Sequence, residues 1–147
     1  MLKTPISADS HIVEPPNCYV DFIEPKYRDV APRIGKTRGG VDAFVAEGMR
    51  DKVPLGLLAA AGVPPDELRV WRDKNFDEIP EAGYEPNARI AAQDRDGIAG
   101  EVLFASVGMV LCSHPSYEYK DACFRAYSRW LETVSYTHLR AHETQRN

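Results

Sequence analysis

Asp9 and His11 stand two residues apart in the stretch Ile6-Ser7-Ala8-Asp9-Ser10-His11-Ile12-Val13-Glu14-Pro15. In an extended strand successive side chains alternate between faces, so Asp9 and His11 project from one side and could grip one cation together. Carboxylate and imidazole are both ligands that zinc and manganese accept, so the pair suits half of a divalent metal site. Ser7 shares their face, whereas Ile6, Ala8 and Ser10 face the other way. The same two residues could instead hydrogen-bond each other or cap a turn, and spacing alone leaves both readings open. A serine–histidine dyad is not expected, because the strand neighbour Ser10 points away from His11.

The elements that must position this pair follow from punctuation and periodicity. After the first strand, Pro15-Pro16, Pro25, Pro32 and Gly39-Gly40 break up a long excursion from Asn17 to Glu85. Within it, residues 41–51 and 54–61 could each form a short helix, the second opening on a proline and closing before Gly62. Residues 62–85 read as a surface loop. Pro86 to Asp96 reads as a helix with proline in its first turn and Gly97 as its terminator. Glu101 to Val107 follows as a strand, apolar on both faces after its first residue, as in a parallel sheet covered by helices. From about Ser116 to Val134, Tyr119, Cys123, Ala126, Tyr127, Trp130 and Leu131 recur at helical spacing, an apolar stripe suited to packing on that sheet. Strand, excursion with helix, strand, helix is a βαβα order, which implies parallel pairing with a right-handed crossover. Gly97 and Gly100 precede a strand rather than follow one, which excludes a dinucleotide loop. Arg89 and Arg95 belong to a helix on the outside of such a sheet and read as surface charges.

Composition narrows the function classes. The 147 residues are 44% hydrophobic and 27% charged, the profile of one globular domain. The best apolar run, Leu55 to Gly62, falls far short of the roughly 20 residues a membrane helix needs. The N-terminus offers one lysine and no apolar segment of signal-peptide length, so a cytoplasmic location is expected and no membrane partner. Cys18, Cys112 and Cys123 are odd in number and not closely paired, so they read as free thiols rather than disulfides or a cysteine zinc cluster. A formal net charge of -4, with acidic residues interleaved, removes the electrostatic basis for nucleic-acid binding.

The run Val134-Ser135-Tyr136-Thr137-His138-Leu139-Arg140-Ala141-His142-Glu143-Thr144 resembles the translation of a transposase-type sequencing adapter. On that reading residues 134–147 are a non-native tail, and the natural frame is interrupted near Thr133. His138 and His142, four apart and followed by Glu143, would otherwise look like a helical zinc motif. Without the tail, Lys+Arg falls from 18 to 16 and Asp+Glu from 22 to 21, a charge of -5, and only His11 and His114 remain.

Four segments follow one another along the chain: Ala8-Asp9-Ser10-His11-Ile12-Val13-Glu14-Pro15-Pro16, Tyr27-Arg28-Asp29-Val30-Ala31-Pro32-Arg33, Asp94-Arg95-Asp96-Gly97-Ile98 with Glu101-Val102-Leu103, and Phe124-Arg125-Ala126-Tyr127 with Trp130-Leu131. In that order they resemble the amidohydrolase superfamily, specifically the amidohydrolase-2 group that includes the aminocarboxymuconate-semialdehyde and resorcylate decarboxylases. The resemblance spans about residues 4–132. It implies the N-terminal portion of a (β/α)8 barrel, with the first two strands and helices plus a long insertion in residues 1–133, and a mononuclear metal at the mouth formed by the C-terminal strand ends.

In that family the first strand supplies two ligands one residue apart, the positions of Asp9 and His11 here, where many members carry His-x-His or Glu-x-His. The resemblance further implies a later histidine and a last-strand aspartate, neither of which lies in this chain. Glu14 could then hydrogen-bond a ligand or face substrate, or equally be a solvated loop residue. His114, after the second strand, is on the catalytic side and could touch substrate, or be a surface-loop histidine. The implied parent is a metal-dependent hydrolase or non-oxidative decarboxylase using zinc or manganese on a small carboxylated or carbonyl-containing molecule, with a homo-oligomer as one expected form of that parent. The alternative is a truncated chain without activity, or at most a binding module, with open strand edges.

Overall fold

The computed structural model describes residues 5–50 and 52–134; the adapter-like run, including His138 and His142, lies outside the described residues except for Val134. The chain opens with strand β1 (Ile6–Ile12) and passes through a 3-10 turn (Pro25–Val30) into β2 (Arg33–Lys36), β3 (Asp42–Val45) and β4 (Val53–Pro54). Short helices α1 (Leu55–Leu58) and α2 (Leu68–Arg72) follow, then two 3-10 turns (Phe76–Glu78 and Glu81–Gly83). Helix α3 (Pro86–Asp96), strand β5 (Gly100–Ala105), helix α4 (Ser106–Leu111) and helix α5 (Tyr117–Val134) complete it. No helix among the described residues is long and apolar enough to cross a membrane.

β1 pairs with β5 in parallel, the pairing implied by the βαβα order. The intervening helix α3 spans Pro86 to Asp96 as its sequence signals require. Glu85 accepts from the Ala88 amide at 2.7 Å to cap its start, and Gly97, at φ 69°, ends it in the left-handed conformation that favours glycine. The parallel register slips between Ser7 and Ser10, where two β1 residues face one of β5, which is a β-bulge. The bulge interrupts strict alternation. Ser7 and Ser10, expected on opposite faces, hydrogen-bond through their hydroxyls at 2.7 Å.

The excursion holds a sheet that its sequence does not announce. β2, β3 and β4 form an antiparallel meander, so the helix expected over residues 41–51 is a strand followed by a turn. Phe44 and Ala43 are buried there, and burial of two adjacent apolar residues in so short a segment outweighs local helix signals. The helix expected over 54–61 is present as the shorter α1, and the supposed loop over 62–85 contains α2 and the two 3-10 turns.

Helix α5 buries Tyr119, Ala122, Cys123, Ala126 and Trp130, close to the expected stripe. Its partner differs. These residues join Ile12, Cys18, Tyr19, Ile23, Ala31, Phe44, Leu55, Val107 and Leu111 in one core, so α5 packs chiefly on α4 and the excursion, and the β1–β5 sheet enters that core only through Ile12 at the end of β1. Polar ties reinforce this seat: Tyr119 donates to the Val30 carbonyl at 2.6 Å, Arg129 to the Phe22 carbonyl at 2.7 Å, and Glu24 accepts from both Arg125 and Arg129 at 3.0 Å. Val102, Leu103 and Phe104 of β5, expected to be covered on both faces, are exposed instead, at 47%, 38% and 47%. A strand apolar on both faces needs cover on both, and the described helices bury their apolar stripes elsewhere.

Candidate metal centre

Asp9 and His11 lie in the C-terminal half of β1 and do come together. His11 Nε2 is 3.4 Å from Asp9 Oδ1, with the Asp9 side chain 82% exposed and that of His11 35%. Two donors each about 2.0–2.1 Å from a tetrahedral ion lie roughly 3.3–3.4 Å apart, so this edge fits a zinc-like cation. The pair opens on a cleft of about 570 Å³, whose walls include Phe104, Met109, Cys112, Phe124 and Tyr127. The Phe104 ring sits 5.9 Å from the imidazole. No group of three or more His, Cys, Asp or Glu side chains positioned to hold a metal occurs among the described residues. Asp9 and His11 are thus a two-residue pair with no third such side chain beside them among the described residues.

The backbone carrying them is fastened on the C-terminal side of His11. Arg89 donates to the His11 carbonyl at 3.0 Å and to the Ala82 carbonyl at 3.2 Å, while its Nε donates to Glu101 at 2.6 Å. The Val13 amide donates to the Gly83 carbonyl at 2.7 Å. Arg89 is thus no surface charge: its side chain is largely buried between α3 and the sheet, with Glu101 as an equally shielded counter-ion. The sequence carried one usable signal, an arginine on the crossover helix and a glutamate opening the next strand. Arg95 fits its expected role, exposed and paired with Asp96.

Glu14 is neither a solvated loop residue nor a neighbour of the metal pair. It is fully buried, and its carboxylate accepts from the Val107 and Gly108 amides and the Tyr19 hydroxyl. Burial pushes its carboxyl above the usual range, against the opposing pull of those amides and the hydroxyl. His114 is also buried, which overturns its reading as a surface-loop residue. Its Nε2 donates to the Glu47 carbonyl at 2.7 Å, its Nδ1 accepts from the Ser116 amide at 3.1 Å, and its ring packs against that of Tyr119 at a tilt of 39°, centroids 4.5 Å apart. Both ring nitrogens are engaged by backbone, so His114 braces the Glu47–Gly48 turn against the start of α5. Cys18 and Cys123 are buried free thiols and Cys112 is an exposed one, as their spacing suggested.

No protein-family model and no curated protein matches the sequence. Among solved structures, a crystal structure of an amidohydrolase from Mycobacterium avium subsp. paratuberculosis K-10 matches with a TM-score of 0.61 at 17% identity. The likeness is one of fold. It covers 91% of this chain and 39% of that one, so the chain spans well under half the length of the protein it resembles. What the likeness carries is a mixed α/β architecture with a parallel strand pair.

Proposed function

We propose that residues 1–133 are the N-terminal portion of a (β/α)8 barrel from a metal-dependent amidohydrolase-like enzyme, with residues 134–147 an adapter-derived tail. Asp9 and His11 are then two ligands for zinc or manganese at the barrel mouth. The observation that carries this reading is their juxtaposition, at a separation that suits a shared cation, on a strand of a fold resembling part of an amidohydrolase. Bound there, the metal would polarise a substrate oxygen or lower the pKa of a bound water toward about 7. The chain's own part is to present a carboxylate and an imidazole at one edge of the cleft, against the Phe104 ring, where a small carboxylated or carbonyl-containing substrate would be oriented. Hydrolysis and non-oxidative decarboxylation share these residues.

A second reading has its own support. Two parallel strands cannot close a barrel, which takes about 200 residues or more, and no third potential ligand joins Asp9 and His11 among the described residues, which supports reading the chain as without activity of its own. Titration calorimetry of the chain with zinc and with manganese tests the ligand assignment, in a His138→Ala/His142→Ala background so that the tail imidazoles do not contribute. One ion per chain, lost in both Asp9→Ala and His11→Ala, is expected. Binding unchanged in those variants, or absent at millimolar metal, would sink it. Turnover of a small amide or carboxylate by the purified chain would overturn the inactive reading.

A further inference from the structure

We infer that Arg89 is a positioning residue for His11, acting through the backbone carbonyl that its guanidinium holds; the metal arm of this proposal rests on the ligand reading above. One planar group makes three bonds to three different segments: Nε to Glu101 of β5, and Nη1 to the carbonyls of His11 in β1 and Ala82 in the turn before α3. The fork geometry of arginine fixes the directions of these bonds, which a single ammonium point charge cannot do. Immediately beyond His11, the Val13 amide is held by Gly83, so the peptide units from His11 to Val13 are clamped to one turn and one helix. The imidazole swings about bonds that start from this backbone. A carbonyl held at 3.0 Å therefore sets where Nε2 lies relative to Asp9 and how the ring meets Phe104.

The need for such a clamp is local. The bulge between Ser7 and Ser10 takes in Asp9 itself, whereas His11 is in register with Phe104, so the ladder does not fix Asp9 and the aim of His11 toward it depends on how firmly the His11 backbone is held. The Arg89 and Glu101 side chains are only 17% and 14% exposed, so the tie is shielded from water and salt rather than a frayed surface contact. Side chains that orient a metal ligand from behind typically change metal affinity 10–100-fold when removed.

The experiment compares Arg89→Met and Arg89→Lys in the chain carrying His138→Ala and His142→Ala. In metal-free protein, Arg89→Met should lose the proton NOE between the His11 and Phe104 rings, while amide spectra for α5 keep their dispersion. Zinc affinity should fall about 10–100-fold, and Arg89→Lys should restore part of both. Persistence of the ring NOE in Arg89→Met overturns the proposal, whatever zinc does. Loss of the NOE in a protein whose parent never binds zinc leaves Arg89 as the positioning residue and removes the ligand reading instead. If Arg89→Met does not fold, Glu101→Gln takes its place. It should weaken the NOE in the same direction, and an unchanged NOE there overturns the proposal.

Discussion

Both carboxylate oxygens of Glu14 accept from the Val107 amide, at 2.9 and 3.1 Å, joining residues 93 positions apart in the chain. Glu14 lies two residues beyond β1 and Val107 two residues beyond β5, so this contact pins the C-terminal ends of the two parallel strands at one level. The Gly108 amide and the Tyr19 hydroxyl complete the shell at 3.0 and 3.1 Å. The cleft beside Asp9 and His11 is built on that fixed floor, since Gly108 and Met109 belong to its wall.

Glu14 should make stability fall as pH rises above about 4.5. Its folded-state pKa is raised from 4.5, chiefly by burial, so the unfolded chain ionises first. The group's contribution is then fully present below 4.5 and lost as pH climbs through the folded value. Glu14→Gln can keep an oxygen where Oε1 accepts its bonds and cannot ionise. Urea unfolding between pH 4.5 and 8 should show a falling stability for the parent relative to the variant. Parallel curves would refute the assignment.

What could be seen beforehand sorts by the range of the interaction that decides it. Pro86, Glu85 and Gly97 act within a turn or two, and α3 appears with the bounds they specify. The Asp9–His11 juxtaposition was legible because the two residues are only two apart, although the bulge that takes in Asp9 was not. The β2–β4 meander was not, since its pairing depends on Phe44 finding a core shared with α4 and α5, far along the chain. Glu14 and Arg89 escaped for the same reason. A charged side chain reads as solvated until the amides or carbonyls that receive it are known, and those of Glu14 lie more than 90 residues away.

His114 and Gly48 should be energetically coupled. Gly48 has φ +75°, and a Cβ there would sit 2.8 Å from His114 Nε2. Gly48→Ala therefore combines backbone strain with a collision. His114→Ala removes the bond to Glu47 and the ring contact with Tyr119, costing about 1–3 kcal/mol. In the double variant the collision disappears but the strain remains, so the two costs should sum to more than the double by about 0.5 kcal/mol or more. Additivity in a denaturation cycle would contradict the bracing role.

The three cysteines should divide one to two in reactivity. Cys112 is exposed, whereas burial raises the Cys18 thiol well above its ordinary value and pushes that of Cys123 up to about 12. Thiolate is the reactive form, so both buried groups are protected twice over. A chromogenic disulfide at pH 8 should modify one thiol rapidly, with the other two released only by denaturant. A Cys112→Ser variant should lose the fast phase entirely.

Gly56→Ala should open a joint remote from the metal pair. Gly56 is buried in α1, and a Cβ at that position would run into the backbone carbonyl of Trp71 in α2. Backbone cannot yield as a flexible side chain does, so the two helices must separate, at a cost of about 1–3 kcal/mol. Separation also breaks the bond from Trp71 Nε1 to the Ala59 carbonyl, now 3.2 Å. Trp71 is only partly buried, and its emission should shift to the red as it meets more water, while Trp130, deep in the α5 core, keeps its own. The zinc binding proposed for Asp9 and His11 should stay as it was, because Gly56, Ala59 and Trp71 are not among the residues that line their cleft. Loss of binding in Gly56→Ala would show that the excursion supports the strand end more directly than the Glu14 and Arg89 ties require.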